Sequence, residues 1–216
     1  MLAADFLHLE KDVEMVNGHA DMFHLDIMDG TFVPNISYGF PIVEAIARKA
    51  RKPLDAHLMI VHPEKYVERF AKAGAGYISF HYEAAREQSA DIIAQIQALG
   101  AKAGIVINPD CPVEDIFPLL PKVDYVVIMS VFAGFGGQKF IPESLVRVRA
   151  VKAQLARIGH PEVPVEIDGG IGPGNAAQAK EAGADILVAG SAVFKAENPV
   201  QVIADIRNAA ISLQEQ

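Results

Sequence analysis

Short runs of β-branched and aliphatic residues alternate along the chain with segments whose apolar positions follow helical spacing. The runs predict seven strands, at residues 22–27, 54–60, 77–80, 103–107, 125–129, 163–167 and 186–189. Residues 1–6 stand just before a helical segment, 7–16, and are expected to form the end of an eighth strand. Strand and helix therefore alternate from one end of the chain to the other.

Glycines mark the ends of several predicted helices. Gly74, Gly100 and Gly183 each stand just before the next strand, where glycine suits the left-handed residue that closes a helix. Eight strand-helix units in a chain of 216 residues, with no linker or low-complexity segment, favour a single α/β domain spanning residues 1–216, a (β/α)8 TIM barrel. An open doubly wound sheet is the alternative that the pattern leaves.

Composition excludes several classes of protein. The formal net charge of −8 and the pI near 5.3 leave no basic surface for a nucleic-acid backbone. No run approaches the roughly 20 apolar residues that a membrane span needs, so a soluble, cytoplasmic protein is expected. The single cysteine, Cys111, excludes an internal disulfide and a thiolate zinc site. Any metal must be bound by histidines and carboxylates.

Three of the predicted strands carry polar residues at alternate positions, although buried parallel strands are normally apolar throughout. Side chains two positions apart on a strand share a face, so each strand directs its polar residues to one side. The residues on these faces are His24 and Asp26, then Asp55, His57 and Met59, then Glu166 and Asp168. If the faces point into one barrel, four of these side chains converge near the carboxyl ends of the strands, where barrel active sites lie.

Those four side chains are His24, Asp26, His57 and Asp168. Two histidines and two carboxylates suit zinc, and also iron(II), cobalt or manganese. A histidine taken alone is more often an ordinary core or surface residue. His8, His19, His62 and His160 lie in predicted helices or loops and are interpreted as solvated side chains. His81, at the end of a predicted strand, is either a neighbour of the site or merely a polar strand end.

Three glycine-containing segments follow the last predicted strands: residues 134–138, 168–170 and 190–191. Glycine lets backbone N–H groups approach an anion. In barrels, the loops after the last two strands along the chain commonly bind phosphate. Each segment alone is equally consistent with a tight turn. Residues 131–138 combine glycines with two phenylalanines, so this segment is either a lid over a substrate or an ordinary surface loop.

At these residues the chain resembles the ribulose-phosphate 3-epimerase family over essentially its whole length. The motifs that carry the resemblance are HLDIMDG at 24–30, FVPN at 32–35, DAHLM at 55–59, MSV at 129–131, GFGGQ at 134–138, EIDGG at 166–170 and VAGSA at 188–192. The resemblance implies a metal-dependent enzyme that interconverts D-ribulose 5-phosphate and D-xylulose 5-phosphate. Two aspartates would transfer the proton at C3 through an enediolate.

The resemblance also assigns roles to residues. It implies one divalent cation per subunit, with zinc favoured, bound by His24, Asp26, His57 and Asp168. Asp26 and Asp168 match the family's acid/base residues. The substrate contacts that it implies are His57, Gly134, Phe135, Gly136, Gly137, Asp168, Gly169, Gly170, Gly190 and Ser191. The methionines that it places in the pocket wall are Met28, Met59 and Met129. Relatives assemble as dimers or hexamers, so self-association is expected.

Two departures from the family pattern affect these expectations. The family has a first-strand serine just ahead of the position held by Met1, and it commonly has Asn-Pro where this chain has Phe132-Ala133. Without that proline the loop is expected to be looser.

Two other functions remain as alternatives to the pentulose-phosphate epimerase. They are an epimerase of a ketohexose 6-phosphate, such as allulose 6-phosphate, and a catalytically impaired phosphosugar-binding homologue.

Overall fold

The computed structural model describes residues 1–210. Within them, parallel strands form one sheet in chain order. The strands are β1 (Phe23–Met28), β2 (Leu54–Met59), β3 (Tyr77–His81), β4 (Lys102–Ile107), β5 (Tyr125–Met129), β6 (Val165–Asp168) and β7 (Ile186–Val188). Asp168 is thus the last residue of its strand, whereas the predicted strand ended at residue 167.

Helices connect the strands. They are α1 (Leu9–His19), α2 (Phe40–Ala47), α3 (Val67–Lys72), α4 (Tyr82–Ala85), α5 (Ser89–Ala98), α6 (Ser144–Arg157), α7 (Ala176–Glu181), α8 (Ser191–Phe194) and α9 (Pro199–Asn208). Short 3-10 segments lie at Phe6–His8, Pro63–Lys65, Arg86–Gln88 and Val113–Leu119. The last of these lies in the connection between β4 and β5. None of the helices within residues 1–210 has the length and apolar character of a membrane span.

The sheet curls on itself. β1 and β6 are far apart in the strand order, yet Nδ1 of His24 on β1 lies 3.2 Å from Oε1 of Glu166 on β6. A parallel sheet wound with alternating helices and curled in this way is the (β/α)8 barrel type, so the predicted fold class is confirmed. Gly74, Gly100 and Gly183 have φ values of 106°, 81° and 103°, the left-handed conformation that the sequence predicts after helices.

The expectation that residues 1–6 form the end of an eighth strand is wrong. This segment is a turn followed by the 3-10 segment Phe6–His8, and α1 begins at Leu9. The Asp5 side chain accepts a hydrogen bond from the Leu7 N–H, and the backbone N–H of Asp5 donates to Oδ2 of Asp12. Such local bonds compete with strand pairing. The terminal nitrogen of Met1 still donates to the carbonyl oxygen of His24 at 2.7 Å, so the segment meets the edge of β1.

Alternate strand residues supply two separate cores. Outward-facing residues such as Leu25, Leu58 and Val126 pack against the helices. Inward-facing residues of β4, β5 and the loop after β5 form a smaller cluster, comprising Val106, Tyr125, Val127, Met129 and Val131. The apolar inner cluster fills one side of the barrel interior, and the polar residues of β1, β2 and β6 occupy the other.

Candidate active site

Strand register determines which polar side chains meet. Across the β1–β2 pair, His24 stands opposite Asp55 and Asp26 stands opposite His57. On the far side of the barrel, Asp168 pairs with Met129. The period of two that predicts a shared face therefore holds, and the interior faces of β1, β2 and β6 bring His24, Asp26, His57 and Asp168 together.

The four side chains meet through one atom each. Nε2 of His24 lies 3.4 Å from Oδ1 of Asp26 and 3.5 Å from Oδ2 of Asp168. Nδ1 of His57 lies 3.4 Å and 3.5 Å from the same two oxygens. The two ring nitrogens are 3.2 Å apart. Each histidine therefore faces both carboxylates at nearly equal distance.

These spacings fit a metal ion. Four ligand atoms arranged tetrahedrally at about 2.0–2.1 Å from zinc lie about 3.3–3.4 Å from one another. The measured distances of 3.2–3.5 Å between the histidine nitrogens and the other three atoms agree with that value. His57 is fully buried, and each aspartate side chain is only 14% exposed. The residues form a candidate metal site at the carboxyl end of the barrel.

The site also favours positive charge. Burial lowers the pKa of both histidines, but the neighbouring carboxylates outweigh it: Asp26 chief among them raises the pKa of His24 well above its usual value. Hydrogen bonds that Asp168 and Asp26 accept from the His57 ring raise the pKa of His57 to about 9. Burial would raise the pKa of each aspartate, yet contact with His24 holds both below their ordinary value. The negative charge of Asp26 and Asp168 can be balanced either by protons on the two histidine rings or by a bound cation.

A second set of buried polar groups lies beneath the candidate metal site. Nδ1 of His24 is 2.7 Å from Oδ2 of Asp55, and the Tyr125 hydroxyl donates to Oδ1 of Asp55 at 2.6 Å. Glu166 approaches the same histidine nitrogen at 3.2 Å. Burial, and then the charge of Asp55, raises the pKa of Glu166 to about 7. The lower part of the barrel interior is therefore polar as well.

His57 has a partner on its other ring nitrogen. Its Nε2 lies 2.9 Å from Nε2 of His81, which is fully buried at the end of β3. Nδ1 of His81 lies 3.4 Å from both a carboxylate oxygen of Glu83 and the amide nitrogen of Asn108. Of the two interpretations open for His81, the structure supports a neighbour of the site.

The rim of the site opens into a cavity of about 950 Å³. Every predicted glycine-segment residue lines it, namely Gly134, Phe135, Gly136, Gly137, Gly169, Gly170, Gly190 and Ser191. Met28, Met59 and Met129 line it too, as do His24, Asp26 and Asp168. His57 lies behind them with no exposed surface, so its predicted contact with substrate stays a prediction. The cavity continues downward beside β7 to residues of α1 and α9.

Side-chain amides hold the loop of residues 131–138, one of whose two interpretations is a lid, in place. Asn35 donates to the carbonyl oxygen of Gly134 at 2.8 Å, and Gln138 donates to the carbonyls of Phe132 and Phe135 at 2.6 and 2.9 Å. The N–H of Ala133 donates to Oδ1 of Asn108 at 3.0 Å, a bond that proline cannot make. This hydrogen bond offsets part of the flexibility expected from the missing proline.

Comparison with known proteins identifies the family. The family model described as "Ribulose-phosphate 3 epimerase family" matches residues 1–194. The chain belongs to the ribulose-phosphate 3-epimerase family. It is 49% identical over 210 residues to a ribulose-phosphate 3-epimerase of Synechocystis. The aligned region covers 96% of this chain and 91% of the relative. A cytoplasmic isoform from rice is 42% identical, covering 96% and 90%. The prediction of an enzyme of this family is confirmed.

Solved structures show the same fold at lower identity. The crystal structure of KGPDC from Streptococcus mutans superposes with a TM-score of 0.73 at 13% identity, covering 96% of this epimerase-family chain and 93% of that chain. A 3-hexulose-6-phosphate synthase superposes with a TM-score of 0.70 at 18% identity, covering 97% and 98%. These likenesses establish the architecture.

The sequence-based interpretation is incomplete for this site. It places Asp55 and Glu166 on the strand faces of His57 and Asp168 but assigns them no role. Tyr125 offered no signal, because it begins an otherwise apolar strand. Asn35 and Asn108 lie in loops, where polar residues are ordinary.

Proposed function

We propose that this epimerase-family chain interconverts D-ribulose 5-phosphate and D-xylulose 5-phosphate with the help of a bound divalent cation. The observation that carries the proposal is the position of Asp26 and Asp168. Their carboxylates come from β1 and β6, and each has an oxygen within 3.5 Å of both His24 Nε2 and His57 Nδ1. Two carboxylates and a cation site thus share one buried volume beneath an open cavity.

His24, Asp26, His57 and Asp168 would hold the cation. Zinc suits this set of nitrogen and oxygen ligands at these spacings, and iron(II), cobalt and manganese suit it as alternatives. When bound, the cation would act as a Lewis acid on the substrate's carbonyl and hydroxyl oxygens. The histidines supply neutral ligands and the aspartates supply charge, which keeps the whole site near neutrality.

Asp26 and Asp168 would move the proton at C3. One carboxylate removes it to leave a planar enediolate, and the other returns a proton to the opposite face, which inverts the carbon. The two carboxylates come from different strands, β1 and β6, which supports a base on either side of a flat intermediate. Met28, Met59 and Met129 line the cavity with polarisable apolar surface that carries no exchangeable proton.

The glycine segments on the rim would bind the phosphate. Residues 134–137, 169–170 and 190–191 line the same cavity as the two aspartates. At Gly169 and Gly170 the φ values of 121° and 65° require glycine, and a Cβ at Gly170 would come within 2.7 Å of the Phe140 nitrogen. A backbone of this kind lets amide groups come close to an anion.

Other properties complete the proposal. The strands all belong to one sheet, which supports a single barrel domain over residues 1–216. We propose a cytoplasmic enzyme, as one relative is a cytoplasmic isoform. The net charge of −8 argues against a nucleic-acid partner. A homo-oligomer remains the expectation from the family.

An isotope experiment tests the reaction. The purified protein, loaded with a divalent cation in deuterium oxide, is given D-ribulose 5-phosphate and followed by NMR. The proposal expects xylulose 5-phosphate with deuterium at C3. Deuterium at C2 of an aldose product would contradict it, and binding without turnover would identify a phosphosugar-binding homologue. Faster turnover of allulose 6-phosphate in parallel reactions would assign a hexulose substrate instead.

A further inference from the structure

The residues beneath the candidate metal site form a hydrogen-bonded chain that ends on a ligand histidine. The Tyr125 hydroxyl on β5 donates to Oδ1 of Asp55 on β2, and Oδ2 of Asp55 lies 2.7 Å from Nδ1 of His24 on β1. Tyr125 and Asp55 are each 1% exposed. No solvent therefore competes for these bonds.

Distances distinguish this series of hydrogen-bonded side chains from a second metal site. His24, Asp55 and Glu166 also form a group close enough to be considered as metal ligands. Donor atoms around one zinc ion lie about 3.3–3.4 Å apart in a tetrahedron. The 2.7 Å separation of His24 Nδ1 and Asp55 Oδ2 is instead that of a charge-assisted hydrogen bond. The lower group is therefore a hydrogen-bonded cluster.

In a neutral His24 ring, the bond to Asp55 places the proton on Nδ1, because an ionised carboxylate can only accept. With Nδ1–H donated to Asp55, the lone pair of a neutral ring stands on Nε2. Nε2 is the atom that lies 3.4 Å from Asp26 and 3.5 Å from Asp168. The direction in which His24 can ligate a cation is thus determined by Asp55.

Tyr125 in turn determines the orientation of Asp55. A buried carboxylate without a second partner could rotate about its side-chain bonds, and the hydroxyl bond at 2.6 Å prevents that rotation. The tyrosine reaches Asp55 because β4 has a glycine at the neighbouring position. Gly104 pairs with Tyr125, and a Cβ there would overlap Cζ of the ring and come within 2.7 Å of Cε1 and Cε2.

We propose that Asp55 and Tyr125 are positioning residues that hold His24 in the tautomer and orientation needed for binding the cation through Nε2. This inference rests on the proposed metal site and deepens it. Neither residue belongs to the proposed ligand set of His24, Asp26, His57 and Asp168. Outer partners of this kind typically change metal affinity by about 10–100-fold when they are removed.

The test measures metal binding directly. Kd values for Zn²⁺ and Co²⁺ are determined by competition with a chromophoric chelator, and the visible spectrum of the Co²⁺ form reports the coordination geometry. Tyr125→Phe and Asp55→Asn should each weaken binding by about 10–100-fold and shift the Co²⁺ bands. Tyr77→Phe is the matched control, because its ring packs edge-on against Tyr125 with centroids 5.7 Å apart. It should leave both readouts unchanged.

The outcomes separate positioning from packing and from the proposed function itself. A residue that only packs would lower the Tm of the metal-free protein without changing the Kd of the folded protein. If the wild type binds and both variants bind equally well, the positioning role is excluded and the metal site stands. If the wild type binds neither ion, both proposals fall. Should Tyr125→Phe not fold, the nearly isosteric Asp55→Asn decides.

Discussion

The ring of Tyr125 lies directly against the backbone of Gly104, its partner on the neighbouring strand. A Cβ built at Gly104 would overlap ring carbon Cζ and come within 2.7 Å of Cε1 and Cε2, closer than real side chains approach. Because the ring is 1% exposed and bonded to Asp55 at its far end, it has no free direction in which to move. Position 104 must therefore be glycine to leave room for the Tyr125 ring.

We expect Gly104→Ala to destabilise the protein by about 1–3 kcal/mol, the usual cost of overpacking a well-filled core. Urea unfolding monitored by circular dichroism measures the change. Gly76→Ala is the control, because a Cβ at Gly76 meets no atom within 4 Å. Tyr125→Leu should relieve the crowding, so the double variant should lose less than the sum of the single variants. Additive losses would show that Gly104 and Tyr125 do not interact in this way.

The two aspartates should fail in different ways when each is replaced by asparagine. In a two-base inversion, loss of one base abolishes epimerisation but leaves the other able to remove a proton from one epimer. Asp26→Asn and Asp168→Asn should therefore each catalyse deuterium incorporation into one substrate epimer without inversion. The two variants should have opposite preferences between ribulose 5-phosphate and xylulose 5-phosphate.

The measurement is NMR in deuterium oxide, with the metal content of each variant determined by elemental analysis, since both residues are also proposed ligands. Asp110→Asn, an exposed aspartate, serves as the control and should behave as the wild type. Turnover at the wild-type rate in Asp168→Asn would remove that residue from its acid/base role.

The pattern of alternation predicts the candidate ligands well, because strand geometry alone puts His24 with Asp26, and Asp55 with His57, on common faces. It could not predict that Tyr125 bonds to Asp55. These residues are 70 positions apart on strands that are not neighbours, and the contact depends on the width of the barrel and on the space left at Gly104. Likewise, the position of residues 1–6 just before a helical segment suggests a strand, but the turn at Asp5 forms instead.

Removal of divalent metal should abolish activity reversibly. After dialysis against a chelator we expect loss of epimerisation, recovered by Zn²⁺, Co²⁺, Mn²⁺ or Fe²⁺. Ca²⁺ should not restore it, since it prefers six to eight oxygen ligands and this site offers two nitrogens and two carboxylates.

Binding should also be visible without catalysis. A ligand at 100 times its Kd stabilises the folded state by about 2.7 kcal/mol, so Zn²⁺ should raise the Tm of the metal-free protein. The shift should be absent in His57→Ala, which lacks one proposed ligand. Full activity in the chelated enzyme, with no rise in Tm on adding Zn²⁺, would contradict a functional metal.

Asp29 should make stability depend on pH at the acid end. Its Oδ1 accepts hydrogen bonds from the N–H groups of Thr31 and Phe32, and its Oδ2 accepts one from Val61, all at 2.8 Å. Burial would raise the pKa of Asp29, but these backbone donors outweigh it, with Val61 foremost, and hold the pKa below its ordinary value. The carboxylate joins the loop after β1 to the end of β2.

Because the pKa is lower in the folded state, this contribution is fully present above the unfolded-state pKa of about 3.9 and is lost as pH falls through the folded value. Asp29→Asn replaces one acceptor with an NH₂ group facing a backbone donor. We expect a loss of about 1 kcal/mol at pH 7, at the low end for a partly exposed group. Urea unfolding from pH 7 to pH 3 should show the difference from wild type shrinking below about pH 4. Asp110→Asn should show no such trend, and a difference that grows on acidification would reverse the sign assigned to Asp29.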